Sequence, residues 1–326
     1  MGTKAQGGSK KASKNKISSK ENEEVDRMYK GEAQPERGTV VHIQKETKVP
    51  LGDEPHRLRE DIIGSFGMAD AMSFINRRRS VFRYEVAGSS SRLKRESIMM
   101  VRLIKLNVNR ALRINARGEL NNLRYILTSP TDLSLDVLLR KYPKMDNGSI
   151  SHILLETFTC LKELHSTRCA HFDVQPSSFA LKKDDKKTFL FVKLGFAVQL
   201  SKESSRPTTT YEGGNRRYAS RRAHTDQLRG RADDFESFAF MAYEIVHMEK
   251  LPWWKEADDR MVQYMKWTFI RTLDTKKDDS CRIVAVIAEN AYSCSRTNSD
   301  KIEAAIMDVL AHWAMKHKGE PLAWEK

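Results

Sequence analysis

The sequence lacks paired cysteines and long apolar runs. Its four cysteines (Cys160, Cys169, Cys281 and Cys294) form no CxxC pair and no cluster with ligand-spaced histidines. That argues against a disulfide scaffold or a zinc site, and fits buried thiols in a reducing compartment, cytoplasmic or nuclear. No run approaches the roughly 20 apolar residues that span a bilayer, and the N-terminus lacks the apolar segment of a signal peptide. Met1-Gly2 opens like a myristoylation signal, but Gln6 stands where Ser or Thr is needed. These absences point to a soluble intracellular protein with no membrane span.

What is present is a chain of 326 residues, 40% hydrophobic and 31% charged, with a formal charge of +14. The length fits one large domain or two lobes with ample core. The positive charge implies acidic partners: phosphoproteins, acidic peptides, RNA or anionic lipid. Residues 1–58 read as a disordered basic tail. Lys, Ser, Gly and Asn alternate over 4–20, an acidic patch follows at 21–26, and large apolar groups are too few to repay ordering. Nucleic acid is one conceivable partner of this tail, though a solvated linker is the favoured reading.

From Leu58 the composition turns globular. Residues 80–86 and 123–127 read as strands, with a helix over 92–106 between them. Thereafter the spacing predicts helices over 133–142, 150–165, 234–248, 260–273 and 300–316. A strand-rich part (59–131) followed by a helical part (132–326) is an α+β pattern.

Three segments carry a family resemblance. They are His171-Phe172-Asp173-Val174-Gln175-Pro176-Ser177-Ser178-Phe179, Gly214-Asn215-Arg216-Arg217-Tyr218-Ala219-Ser220, and Arg231-Ala232-Asp233-Asp234-Phe235-Glu236-Ser237 with Leu251-Pro252-Trp253. They resemble the HRDIKPDNF catalytic loop, the GTARYAS activation segment and the RRDDLES…LPW stretch of casein kinase 1 protein kinases. Order and spacing agree over about residues 60–255, and Ser134-Leu135-Asp136-Val137-Leu138-Leu139 resembles that family's SLEDLL. The resemblance implies a two-lobed protein kinase-like fold, with a small β-rich lobe and a larger helical one.

The departures from the family pattern bear on function, because phosphoryl transfer depends on a lysine, Mg²⁺-holding carboxylates and a positioned aspartate. Ile62-Ile63-Gly64-Ser65-Phe66-Gly67 resembles the glycine-rich loop, with Gly64 and Gly67 remaining. In Val81-Phe82-Arg83-Tyr84, Tyr84 stands at the phosphate lysine and Phe82 at the adenine-pocket position. In that register both rings enter the cleft and Arg83 points away. A one-residue slip would place Arg83 inside instead. Glu96, similar to the lysine's helix partner, is then a remnant without a cation, or simply a surface helix residue.

In the catalytic loop Asp173 matches the catalytic aspartate, as a base or as a structural acceptor. Gln175 replaces the family lysine. Ser178 replaces a metal-binding asparagine, and Gly195 in Gly195-Phe196-Ala197 replaces the principal metal-binding aspartate. His171 and Asp234 match architectural positions. Arg217 matches an anion-binding arginine, and Arg216, Arg221 and Arg222 thicken that patch into a phosphate-suited surface; a solvated basic face is the alternative. His165 reads as an ordinary helix-end histidine, and the tryptophans (Trp253, Trp254, Trp267, Trp313 and Trp324) as core.

The expectation is a pseudokinase of casein kinase 1 type, a monomeric protein-binding module for an acidic or phosphorylated partner. No cofactor or metal ion is expected. The first rival is a divergent but active Ser/Thr kinase using ATP and Mg²⁺; a Lys or Arg facing the cleft beside Glu96 would favour it. The second is a nucleic-acid or anionic-surface binder acting through the basic tail.

Overall fold

The computed structural model describes residues 41–43, 48–51, 54–58, 62–64, 66–73, 79–86, 92–120, 123–200, 214–225, 227, 229–273, 278–295 and 297–326. Residues 1–40, which hold most of the presumptive tail, lie outside them. Up to residue 73 the description is of backbone pairing.

The central sheet is antiparallel and six-stranded, in the order β2-β3-β5-β6-β8-β7. Its strands are β2 (Lys48–Leu51), β3 (Glu54–Leu58), β5 (Phe66–Ser73), β6 (Arg79–Val86), β7 (Ile114–Leu120) and β8 (Leu123–Thr128). A separate pair joins β1 (Val41–Ile43) to β4 (Ile62–Gly64). The sheet thus begins upstream of the boundary placed at residue 59. Short strands are hard to find in a polar stretch, because their pairing is decided across the sheet rather than locally.

Helix α1 (Arg92–Lys105) packs on β6, β7 and β8. Its buried positions, Leu93, Glu96, Ser97, Met99, Met100 and Leu103, recur at helical spacing. The chain then crosses into β9 (Thr131–Ser134) and α2 (Leu135–Lys141), splitting what the periodicity predicts as one helix over 133–142. Helix α3 (Asn147–Ser166) is capped by Asp146, whose carboxylate accepts from Ser149 N at 2.7 Å. After it come β10 (Cys169–Ala170), β11 (Phe179–Lys182), β12 (Asp185–Phe191) and β13 (Val198–Gln199). β11 pairs with β12 and β9, and β10 with β13.

The remaining helices are α4 (Arg231–His247), α5 (Asp259–Thr268), α6 (Asp279–Ser293) and α7 (Ser299–Lys316). Nearly every residue of α4 is buried, so it is the helix around which the others assemble. It packs on α3, α6 and α7. Helix α6 falls in a segment the family resemblance does not reach. It brings in Cys281 and places Cys294 at its cap, both buried and free. Among the described residues no helix is long and apolar enough to cross a membrane.

Candidate functional site

β6 decides the register that strand spacing left open. Phe82 and Tyr84 are buried on one face, and the Phe82 ring stacks on both Tyr84 and Tyr125, each with ring centroids 5.8 Å apart. Arg83 lies on the other face, against α1. Its Nη1 donates to Glu96 Oε1 at 2.6 Å and to Val192 O at 2.9 Å, and its Nη2 to Glu96 Oε2 at 2.8 Å. Glu96 Oε1 also accepts from Leu194 N at 3.1 Å. The reading of Tyr84 as the lysine counterpart, of Phe82 as cleft-lining and of Glu96 as partnerless is therefore corrected. Alternation along a strand fixes which residues share a face but not which face is inward. Here the aromatic faces outvote the cation, and Arg83 takes the place beside Glu96. Gly67 lies across from Tyr84 in the β5–β6 pairing, and Gly64 pairs with Val41.

The catalytic-loop segment is held from below by α4. Asp234 Oδ2 accepts from His171 N at 2.7 Å and from His165 Nε2 at 2.9 Å, and Oδ1 accepts from Phe172 N at 2.8 Å. Phe172 sits at φ 59°, in the left-handed region where a non-glycine residue needs such external support. His165 is fully buried and bridges Asp234 to Glu303 of α7 at 3.0 Å. Burial opposes its charge, but its two carboxylate partners outweigh burial and raise its pKa. The helix-end reading of His165 missed this, since both partners come from distant helices. His171 stacks on Phe191 at 4.8 Å, and burial lowers its pKa to about 4.

Asp173 Oδ1 accepts from Asn215 N at 2.8 Å and from Gln175 Nε2 at 2.7 Å. Burial nonetheless pushes its carboxyl up to about 6, against these bonds and the charge of Lys193. Gly214 explains how the activation segment comes so near. It has φ 84°, and a Cβ there would meet Phe172 O at 2.8 Å.

Asp173 and the similarly buried Asp233, also raised to about 6, bind protons more tightly folded than unfolded. Stability attributable to each is therefore greatest below the ordinary carboxyl value and declines as pH rises to about 6. Asp173→Asn keeps an acceptor for Asn215 N and removes the buried charge. It is expected to stabilise the fold by about 1–2 kcal/mol at pH 7.5 and to shrink, without abolishing, the fall in stability between pH 4 and 6. Urea melts from pH 4 to pH 7.5 check both effects.

The positions implied for metal binding do not fit Mg²⁺. Gly195 has no side chain, and Ser178 Oγ donates to Asp173 O at 2.7 Å, back into its own loop. Lys193, which the sequence reading passed over, extends to Ser177 Oγ at 2.9 Å, and its charge acts on both Asp173 and Asp136. A cation thus stands where a metal site would need carboxylates. Its signal was a lysine closing the apolar run of β12, two residues before Gly195.

The four arginines after Gly214 do not form one patch. Arg221 is buried, with Nη2 2.9 Å from Glu236 Oε1 and Nε donating to Glu236 Oε2 at 3.1 Å. Arg222 donates to Cys294 O at 2.9 Å and lies within 4.0 Å of Asp233 and Glu236. Both are internal ties, which corrects their assignment to an anion-binding surface; Glu236 sits on α4 and draws them inward. Arg216 donates to Glu256 O and Ala257 O, each at 3.0 Å.

Arg217 differs: its guanidinium lies 3.8 Å over the Trp254 ring. It lines a pocket of about 560 Å³ with Asn215, Trp253, Trp254 and Lys255. Below the segment, fully buried Lys266 of α5 donates to Arg216 O at 2.7 Å and Ala219 O at 2.6 Å. Its position between Val262 and Phe269 on an apolar helical face was the available signal.

No family model matches the chain. Comparison with curated proteins gives distant relatives. A Caenorhabditis elegans protein named as a serine/threonine-protein kinase is 24% identical over 209 residues, covering 62% of each chain. A casein kinase 1-like protein of Oryza sativa subsp. japonica is 34% identical over 119 residues, 33% of this chain and 16% of its own. A Dictyostelium discoideum protein named as a serine/threonine-protein kinase is 25% identical over 224 residues, 66% of this chain and 45% of its own. The chain thus spans less than two thirds of the length of each of these relatives. Together with the mixed sheet and helices, they support a protein kinase-like domain of α+β class.

Proposed function

We propose that the chain is a casein kinase 1-like pseudokinase, a two-lobed protein-binding module of the cytoplasm or nucleus with little or no phosphotransferase activity. The observation that carries this reading is the metal site. Gly195 offers no ligand, Ser178 is spent on its own loop, and Lys193 adds positive charge beside Asp173. An aspartate without metal has little to act on. The partner class is acidic or phosphorylated protein, for which the pocket beside Arg217 and Trp254 supplies a guanidinium and an aromatic wall.

A second reading, a divergent active kinase, is favoured by Arg83. It stands beside Glu96, which is the feature that reading requires. Against it stands Lys193, whose charge lies beside Asp173 where that reading needs metal-holding carboxylates.

Thermal-shift titration of the full chain with millimolar ATP, with Mg²⁺ or with EDTA, separates the two. The expected result is a shift, or its absence, that Mg²⁺ does not change. The Lys193→Asp/Ser178→Asn variant should gain Mg²⁺ dependence, since Lys193 is the residue whose charge reaches Asp173. A wild-type shift that grows with Mg²⁺, together with γ-phosphate transfer lost in Asp173→Asn, would install the second reading.

A further inference from the structure

Helix α5 carries a face that stays largely exposed among the described residues. Val262 and Lys266 are buried against the body, while Met261, Tyr264 and Trp267 remain 46%, 62% and 48% exposed. Positions 261, 264 and 267 fall on the opposite side of the helix from the buried pair. This corrects the reading of Trp267 as core. Arg260 lies on the same exposed side, and exposed Arg271 follows in the short 3-10 turn Phe269–Thr272.

The two acids at the helix start are each engaged by a neighbour, though both stay exposed. Asp258 Oδ1 caps the helix, accepting from Arg260 N at 2.7 Å, and Asp259 Oδ1 lies 2.5 Å from Arg216 Nε. That leaves Met, Tyr and Trp interleaved with two arginines and no lysine, the composition enriched at protein interfaces. Trp267 is also held in place. The Arg221 guanidinium lies 4.4 Å over its ring, and Arg221 is itself locked by Glu236. A fixed aromatic loses little freedom on binding.

We infer that the exposed face of α5 is a docking surface for an acidic segment of a partner protein, one whose aliphatic or aromatic side chains lie on Tyr264 and Trp267 while its carboxylates meet Arg260 and Arg271. A second copy of the chain is a poor occupant, because a two-fold contact would set this basic face against itself on a chain of charge +14. Single-stranded nucleic acid is also disfavoured: it is bound by a basic groove that tracks the backbone, whereas here a convex helix offers two arginines beside Met261. The surface is distinct from the pocket at Arg217, and the inference stands whether or not the cleft transfers phosphate.

The test is selection of a randomised phage-displayed peptide library on the immobilised full chain, followed by fluorescence anisotropy with the selected peptides. Peptides combining Asp or Glu with aromatic or leucine residues are expected. Their affinity should fall about 30-fold or more in Tyr264→Ala/Trp267→Ala, the loss typical of a hot spot. Arg260→Ala/Arg271→Ala should flatten the salt dependence.

Met261→Ala/Tyr264→Ala provides a variant that spares the Arg221–Trp267 contact, so a weakened fold cannot mimic the result. Several outcomes overturn the inference. They are no enrichment, selected peptides without acidic residues, peptides that bind the α5 variants as well as the wild type, a wild-type dimer in sedimentation that the variants lose, or displacement of the peptides by a single-stranded oligonucleotide.

Discussion

Asp234→Ala is expected to remove about 3–5 kcal/mol of stability, the cost of deleting one partner from a buried charge network. The carboxylate is fully buried and serves three donors: the His171 and Phe172 backbone N–H groups and the His165 imidazole. Its pKa is lowered, because His165 and the surrounding donors outweigh the burial that opposes its charge. Alanine would leave two backbone N–H groups and an imidazole without an acceptor, and would release the left-handed Phe172. For a domain stable by about 5–15 kcal/mol, that loss is a third or more of the total.

Chemical denaturation measures it, and a loss under 1 kcal/mol would show that the catalytic-loop segment does not hang on α4. The same network makes a pH prediction. The raised His165 pKa contributes stability that is complete below the ordinary imidazole value and is lost as pH climbs through the folded one. His165→Gln should flatten the alkaline side of the stability profile.

Breaking the Arg221–Glu236 pair comes next in size. Arg221→Met leaves fully buried Glu236 with only Arg222, 3.8 Å away, and the residue-221 backbone N–H, at a cost of up to about 3–5 kcal/mol. It also strips the guanidinium from the Tyr292 ring, 3.7 Å away, and from Trp267. The double variant Arg221→Met/Glu236→Leu should lose less than the single one, because no charge is then stranded. Arg217→Ala, by contrast, should stay within about 0.5 kcal/mol of wild type, as surface changes do. The three melts together test whether Arg221 and Arg217, neighbours in one arginine-rich segment, do different work. Equal losses would remove the distinction.

The three motif segments and the order of strand-rich and helical parts were legible in the residues, because each is a matter of local pattern and spacing. The helices over 147–166 and 231–247 could be read within a few residues from their apolar periodicity. What only the tertiary structure decided is which face of a pattern points where. A strand's alternation is symmetric about its plane, so whether Arg83 or Tyr84 meets Glu96 was settled by packing: Phe82 and Tyr84 bury against Tyr125, and the guanidinium turns to α1.

The arginines after Gly214 looked alike in sequence because their fates depend on residues far along the chain. Glu236 and the backbone carbonyl of Cys294 pull two of them inward, and Trp254 holds Arg217 at the pocket. His165, Lys193 and Lys266 take their partners in the same way from remote segments, which no local pattern reports. The sequence by itself determined the kind of fold; long-range partner choice decided which charges are tied inside it and which stay at the surface.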